Sequence, residues 1–343
     1  MFRGGPAHSG EQPGSGPGDQ PETVWQFQTE GEVTSSPALV GGTLYIGSVD
    51  GHLHALDAAT GRERWRFATD DSISSSPAVA GSTVYVGSND KALYAVDADS
   101  GALRWRFPTE GVVISSPVVV GSLVFFGSWD GNLYAVDAVS GDERWRFGTG
   151  AEIFSSPAVS HGVVYVGAVD GYLIAVDSET GERRWQTALG GAIYSSPAVV
   201  DGSIYVGADD GILYAVDAES GDDLWSFRTG ARISSSAAVG SGAVYVGSDD
   251  GFFYAVDAAT GEQHWRFEIG TLAFSSPTVA GDLVYMGTLD GEVNALDIVT
   301  GTLRWHFALD SAIYSSPTVD QGVLYVATLD GAVYALSDRQ EVV

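Results

Sequence analysis

The chain has 343 residues, no cysteine, a single lysine and a formal net charge of −28. The missing cysteine excludes disulfides, thiolate metal sites and cysteine nucleophiles. The acidic field, offset by no basic stripe, excludes nucleic acid as a partner, and no run of eighteen apolar residues exists to span a membrane.

Residues 1–22 come first and are rich in Gly, Pro, Ser and Gln. They hold no apolar core segment, so as written they are no signal peptide. Their composition predicts a flexible leader. From residue 23 a forty-residue period takes over. Trp stands at 25, 65, 105, 145, 185, 225, 265 and 305, and one sentence with small edits runs between them. In one copy it reads Ser75-Ser76-Pro77-Ala78-Val79, then Val84-Tyr85-Val86-Gly87-Ser88, then Ala92-Leu93-Tyr94-Ala95-Val96-Asp97, then Leu103-Arg104-Trp105-Arg106-Phe107. Each run is short, β-branched or aromatic, and bounded by Gly, Asp or Ser, which predicts a strand. Four such strands per period make one propeller blade.

The turns agree. Asp-Gly at 50–51 and at six equivalent places supplies the positive φ of a tight hairpin, and only Asn89-Asp90-Lys91 departs from it. Thr-Gly or Ser-Gly at 60–61 and its equivalents makes the next turn. The last copy stops after Leu336 without a Trp strand, while Val24-Trp25-Gln26-Phe27 stands alone at the start. The first strand then completes the last blade and closes the ring without a free sheet edge. The prediction is an all-β, eight-bladed propeller over 23–337 with four antiparallel strands per blade. A leader at 1–22 precedes it and a tail at 338–343 follows. The acidity has two readings: an Asp repeated at fixed turn positions, or a salt-adapted source.

The segment Ala55-Leu56-Asp57-Ala58-Ala59-Thr60-Gly61-Arg62-Glu63-Arg64-Trp65 carries the pattern A-x-D-x-x-[TS]-G-x-x-x-W, which recurs from Ala95, Ala135, Ala175, Ala215, Ala255 and Ala295. It resembles the tryptophan-docking repeat of PQQ-like propellers, both quinoprotein dehydrogenases and the non-catalytic, BamB-like repeat proteins. The resemblance covers essentially everything after residue 22. It implies that Trp25, Trp65, Trp105, Trp145, Trp185, Trp225, Trp265 and Trp305 pack between blades and that the Asp and Gly shape the turn, which are structural roles. The stretch Met1 to Gly10 also resembles the segment before the propeller in exported relatives. That points to an extracytoplasmic location, although the chain shows no signal peptide.

Eight copies of one packing task provide an internal comparison. A position that varies between copies is either free or serves one blade. Variation is greatest in the loops from the fourth strand to the next blade and from the second strand to the third, which open on one face. The residue before the Ser-Ser pair runs Thr34, Ser74, Ile114, Phe154, Tyr194, Ser234, Phe274, Tyr314. The position before the hairpin Asp holds Trp129, and the position two after it holds Asn132, Tyr172 and Phe252. Trp129, Phe154, Tyr172, Tyr194, Phe252, Phe274 and Tyr314, with Asn132 and Lys91, form the expected ligand or partner rim. Rigid aromatics desolvate large surfaces at small entropic cost. The competing reading makes several of them caps over the blade cores and Lys91 a tolerated turn residue.

No catalytic constellation stands out. By the same resemblance, a quinoprotein dehydrogenase needs a calcium held by carboxylate and amide, a base Asp and, in many members, a vicinal disulfide. Here the disulfide is impossible and the repeated Asp residues are accounted for by turns. His8, His52, His54, His161, His264 and His306 read as scattered across blades, so no metal site is expected. The Ser-Ser pairs recur in every blade, so they read as partners of backbone groups at the innermost strand rather than as nucleophiles. The function read from the sequence is a non-enzymatic, monomeric binding scaffold for a partner protein or glycan, with no cofactor. The alternative is an oxidoreductase carrying PQQ and calcium on the same face.

Overall fold

The computed structural model describes residues 2–338. Blade 1 consists of Ala38–Val40, Thr43–Gly47, His52–Asp57 and Glu63–Ala68, hydrogen-bonded antiparallel in that order from the axis outward. Blades 2 to 7 repeat it every forty residues. The eighth sheet takes three strands, Thr318–Asp320, Val323–Ala327 and Ala332–Asp338, from one end of the chain. Its outermost strand, Pro21–Gln28, comes from the other end. The fold is the eight-bladed propeller that the repeat predicts, closed in the predicted way. The closing strand begins at Pro21, two residues inside the expected leader. Asp338, assigned to the tail, pairs with Pro21; the rest of the tail, 339–343, lies outside the described residues.

The burial pattern explains why these runs become these strands. In the second strand Leu44, Tyr45 and Ile46 are all buried, because both faces of a blade are covered by its neighbours. In the outermost strand Trp65 and Phe67 turn inward while Arg64 and Arg66 face solvent, the alternation expected of a half-buried strand. The apolar clusters sit at the seams. One joins Ala38, Tyr45 and Leu53 of blade 1 to Val84, Val86 and Tyr94 of blade 2, and the same pairing recurs around the ring. A blade is thus stable only against its neighbours, and closure is what covers the first and last faces.

Two polar devices reinforce the seams. Trp65 Nε1 donates to the Ala98 carbonyl of the next blade at 3.0 Å, and Trp25, Trp105, Trp145, Trp185, Trp225 and Trp265 do the same one blade along. Around the axis, the amide of Ser36 donates to Ser76 Oγ at 2.9 Å. Equivalent bonds pass through Ser116, Ser156, Ser196, Ser236, Ser276 and Ser316 back to Ser36, making a closed belt. The other serine of each pair bridges within the blade, as Ser35 Oγ does to the Gly47 amide and carbonyl. The serine pairs therefore do the backbone work assigned to them. Gly47 must be glycine because a Cβ there would lie 2.2 Å from the Ile73 side chain of the adjoining loop.

A bulge between Ala55 and Leu56 recurs in the outer hairpins of blades 1 to 7. It leaves Arg64 out of the ladder and beside Asp57, at 2.7 Å. Asp57 also accepts from the Thr60 amide and hydroxyl, and these bonds with Arg64 hold its carboxyl down at about 2.

Residues 2–20, read from composition as a flexible leader, run across the end of the axial channel opposite the Asp-Gly hairpins. The innermost strands are edges, and their amides are met by leader carbonyls: Val159 by Pro6, Val199 by Ala7, Val239 by Ser9 and Val279 by Gly10, at 2.7 to 3.0 Å. Val319 donates to Gln12 Oε1 at 2.6 Å. The eighth blade has no fourth-strand turn of its own, so the leader substitutes for one. The Pro17 carbonyl accepts from Trp305 Nε1 and Tyr285 Oη at 2.9 and 3.1 Å, as Ala98 does from Trp65 and Tyr45.

Candidate functional site

The Asp-Gly hairpins and the loops entering each blade meet at the opposite mouth of the channel. The Trp129 amide donates to the Val112 carbonyl at 3.0 Å, tying the hairpin of blade 3 to its own entry loop. Because the residue before each Ser-Ser pair stands just above the serine belt, these side chains ring the axis in blade order. Phe154 lies 4.4 Å from Trp129 and 5.1 Å from Tyr194, edge-on to the latter. Across the polar Ser234, Phe274 stacks on Tyr314 at 4.7 Å with an 11° interplanar angle. Two aromatic groups thus face the mouth, separated by Ser234 on one side and by Thr34, Ser74 and Ile114 on the other. Trp129 is 39 % exposed. Beside it opens a cleft of about 470 Å³ lined by Asp130, Asn132, Gly150 and Glu152.

Of the other predicted rim residues, Tyr172 and Phe252 face seams, Asn132 lines the cleft beside Trp129, and Lys91 lies on the hairpin of blade 2. Tyr172 packs on the core between blades 3 and 4 together with Phe147. Phe252 lies against the core between blades 5 and 6, with the Arg266 guanidinium 4.5 Å from its ring. Both begin a third strand, so they face a seam, not the axis. Asn132 turns back on its own hairpin and donates from Nδ2 to Asp130 Oδ1 at 3.0 Å. Lys91 is exposed and occupies the left-handed turn position at φ 67°, where the other blades use glycine.

One rim residue escaped the sequence reading. Arg232 binds Asp249 and lies 5.9 Å from the Phe274 ring. Its bond to Asp249 raises its pKa. The same internal comparison would have found it, since its position holds Glu32, Ser72, Val112, Glu152, Ala192, Leu272 and Ala312 in the other blades.

The channel itself is neutral to cationic where the leader fills it. Arg3 is buried and donates to the Ala237 carbonyl. Burial lowers its pKa to about 9. His8 is fully buried, and desolvation, then Arg3, lowers it to about 3, so it is a neutral imidazole. A cavity of about 440 Å³ remains beside the leader, between Gln12 and Pro13 and the inner strands of blades 8 and 1. The histidines are not all scattered. His52 and His54 meet Asp50 in blade 1, and this is a group able to hold a metal ion.

This architecture can be placed among known proteins. The family model for the β-propeller of beta-alanine-activating enzyme matches residues 18–203, more than half of the chain. The model for outer membrane protein assembly factor BamB matches 209–307 and again 254–341. The chain belongs to this family of PQQ-like β-propeller repeat proteins. No curated protein sequence matches it. Among solved structures, BamB from Moraxella catarrhalis is 22% identical with a TM-score of 0.82, covering 92% of this chain and 99% of that one. A europium-containing methanol dehydrogenase is 15% identical with a TM-score of 0.85, covering 98% of this chain and 97% of that one. The quinohemoprotein alcohol dehydrogenase from Comamonas testosteroni is 15% identical with a TM-score of 0.84, covering 98% of this chain and 80% of that one. These likenesses define the fold, which serves binding proteins and enzymes alike.

Proposed function

We propose that this propeller is a non-enzymatic binding scaffold that takes a partner protein at the aromatic mouth. The observation that carries the reading is the continuous group Trp129–Phe154–Tyr194 beside an open cleft. Its rings pack on one another within the fold, so little ordering cost falls on association. Glu152 and Asp209, both exposed at the same mouth, favour a partner segment that combines apolar and basic side chains. The match to the BamB model, a protein assembly factor by description, supports a protein rather than a glycan.

The quinoprotein neighbours motivate the second reading, an oxidoreductase with PQQ and calcium. The mouth acids carry negative charge, but the group of ligands close enough to share a metal among the described residues is Asp50, His52 and His54. The carboxylates of the quinone, however, call for cationic donors, and Arg232 is already bound to Asp249. That pairing weighs against a quinone held by Arg232.

Selection of a random peptide library against the protein, with the double variant Trp129→Ala/Tyr194→Ala as counter-target, tests the proposal. Peptides rich in aromatic and basic residues are expected, binding the variant at least about tenfold more weakly, or about 1.4 kcal/mol. The variant's unfolding free energy should change by less than about 1 kcal/mol. Peptides that bind both proteins equally would move the site away from the mouth. Saturable calorimetric binding of PQQ with calcium would favour the second reading instead.

A further inference from the structure

We propose that blade 1 carries a divalent-metal site of zinc-type chemistry, with Asp50, His52 and His54 as ligands and Glu63 as the outer carboxylate that orients His54. The site departs from the repeat. At the position of His54, four other blades have a tyrosine whose hydroxyl donates to the hairpin Asp: Tyr94 to Asp90, Tyr134 to Asp130, Tyr214 to Asp210 and Tyr254 to Asp250, at 2.6 to 2.8 Å. Blade 1 gives up that bond for an imidazole and adds a second imidazole two residues away. Residues i and i+2 of a strand project from one face, so both rings lie over Asp50, 5.8 Å apart.

The hydrogen-bond inventory shows what is missing. His54 Nδ1 is 2.7 Å from Glu63 Oε1, and its Nε2 is 3.3 Å from Asp50 Oδ2. An imidazole with its N–H on Nδ1 toward Glu63 turns the Nε2 lone pair toward Asp50, where a bound cation would sit. His52 Nδ1 adds another nitrogen 3.2 Å from Asp50 Oδ1. These ligand atoms lie within 4.8 Å of one another. Two nitrogens and a carboxylate gathered this closely form the donor set of a borderline cation such as zinc. A carboxylate on the far nitrogen of a ligating histidine is the usual orienting partner.

Burial and access also suit a metal. His54 is 2% exposed and Asp50 7%, which fixes their positions, while His52 is 27% exposed and leaves a way in. The surroundings give the site a structural consequence. Asp50 Oδ2 accepts the Glu30 amide at 3.0 Å, and the Phe27 ring packs edge-on against His54 at 5.5 Å. Phe27 belongs to the strand that closes blade 8, so a metal here would fasten the seam where the two ends of the chain meet.

Equilibrium dialysis of the chelator-stripped full chain against zinc chloride tests this, in about 1 M KCl so that surface carboxylates are screened. The expected result is one tightly bound zinc per chain, with cobalt(II) giving the visible absorption of a four- or five-coordinate site. His54→Tyr introduces the residue that blades 2, 3, 5, 6 and 8 use at this position and should fold; it is expected to weaken binding at least 100-fold. His52→Ala, at a half-buried position, should cost about 10- to 100-fold, and Glu63→Gln about tenfold. Zinc should raise the Tm of the unmodified chain and leave that of His54→Tyr unchanged. Stoichiometric binding that survives both histidine changes, or no binding to the unmodified chain, would overturn the proposal.

Discussion

The two ends of the axial channel are built from different parts of the chemistry of the chain. At the aromatic mouth, side chains that differ from blade to blade (Trp129, Phe154, Tyr194, Arg232, Phe274, Tyr314) stand on identical backbone. At the other end, identical inner strands are covered by the main chain of residues 2–20, whose carbonyls meet their amides. The first end is written in side chains and can be read by lining up the repeats. The second is written mainly in backbone hydrogen bonds, with Arg3 and Gln12 adding side-chain contacts, so composition alone gives it little signature.

This contrast can be broken from either end. The largest effect is expected from deleting residues 2–19 while keeping the closing strand. The inner-strand amides and the Trp305 and Tyr285 donors would lose their acceptors to water, and several bonds of about 1 kcal/mol each, less the ordering cost of the leader, imply a loss of about 4 kcal/mol in denaturant unfolding. An unchanged unfolding free energy would show that the leader adds nothing to stability in solution. Next in size is Gly61→Ala, on the leader side. Gly61 sits at φ +69°, and a Cβ there would lie 2.6 Å from the Trp25 ring. The backbone strain and the crowding together should cost about 3 kcal/mol. A cost below about 1 kcal/mol would mean that the Trp25 contact yields easily.

At the mouth, the changes should alter binding rather than folding. Trp129→Ala/Tyr194→Ala is expected to lose peptide affinity with little change in the unfolding curve, the reverse of Gly61→Ala. The smallest effect has the opposite sign. Lys91→Gly places glycine at the position where the equivalent second-to-third-strand hairpins of the other blades have it and should stabilise by about 0.5–1 kcal/mol in denaturant unfolding. A destabilisation would mean that Lys91 has a role beyond the turn.

Much of the aromatic mouth is legible in the repeat, and the residues that lie apart from it do so for a geometric reason. Phe154, Tyr194, Phe274 and Tyr314 were found because their position lies immediately before the belt serines, and whatever stands there must face the axis. Tyr172 and Phe252 were grouped with them because their position also varies, but it begins a third strand and looks onto a seam. Asn132 varies too; it lines the cleft beside Trp129 while its amide bonds its own hairpin. His52 and His54 were set aside when the histidines were compared blade by blade; strand alternation alone puts them on one face, and it was the better signal.

The sequence by itself determined the number of blades, the strand content of each and the closure by the first strand, because a forty-residue period with one unpaired run at each end allows a single way of covering every apolar face. Only the tertiary structure decided where residues 2–20 lie and which varying loop residues meet. Main-chain bonding leaves no side-chain pattern to read, and contacts across blades depend on how the ring brings distant repeats together.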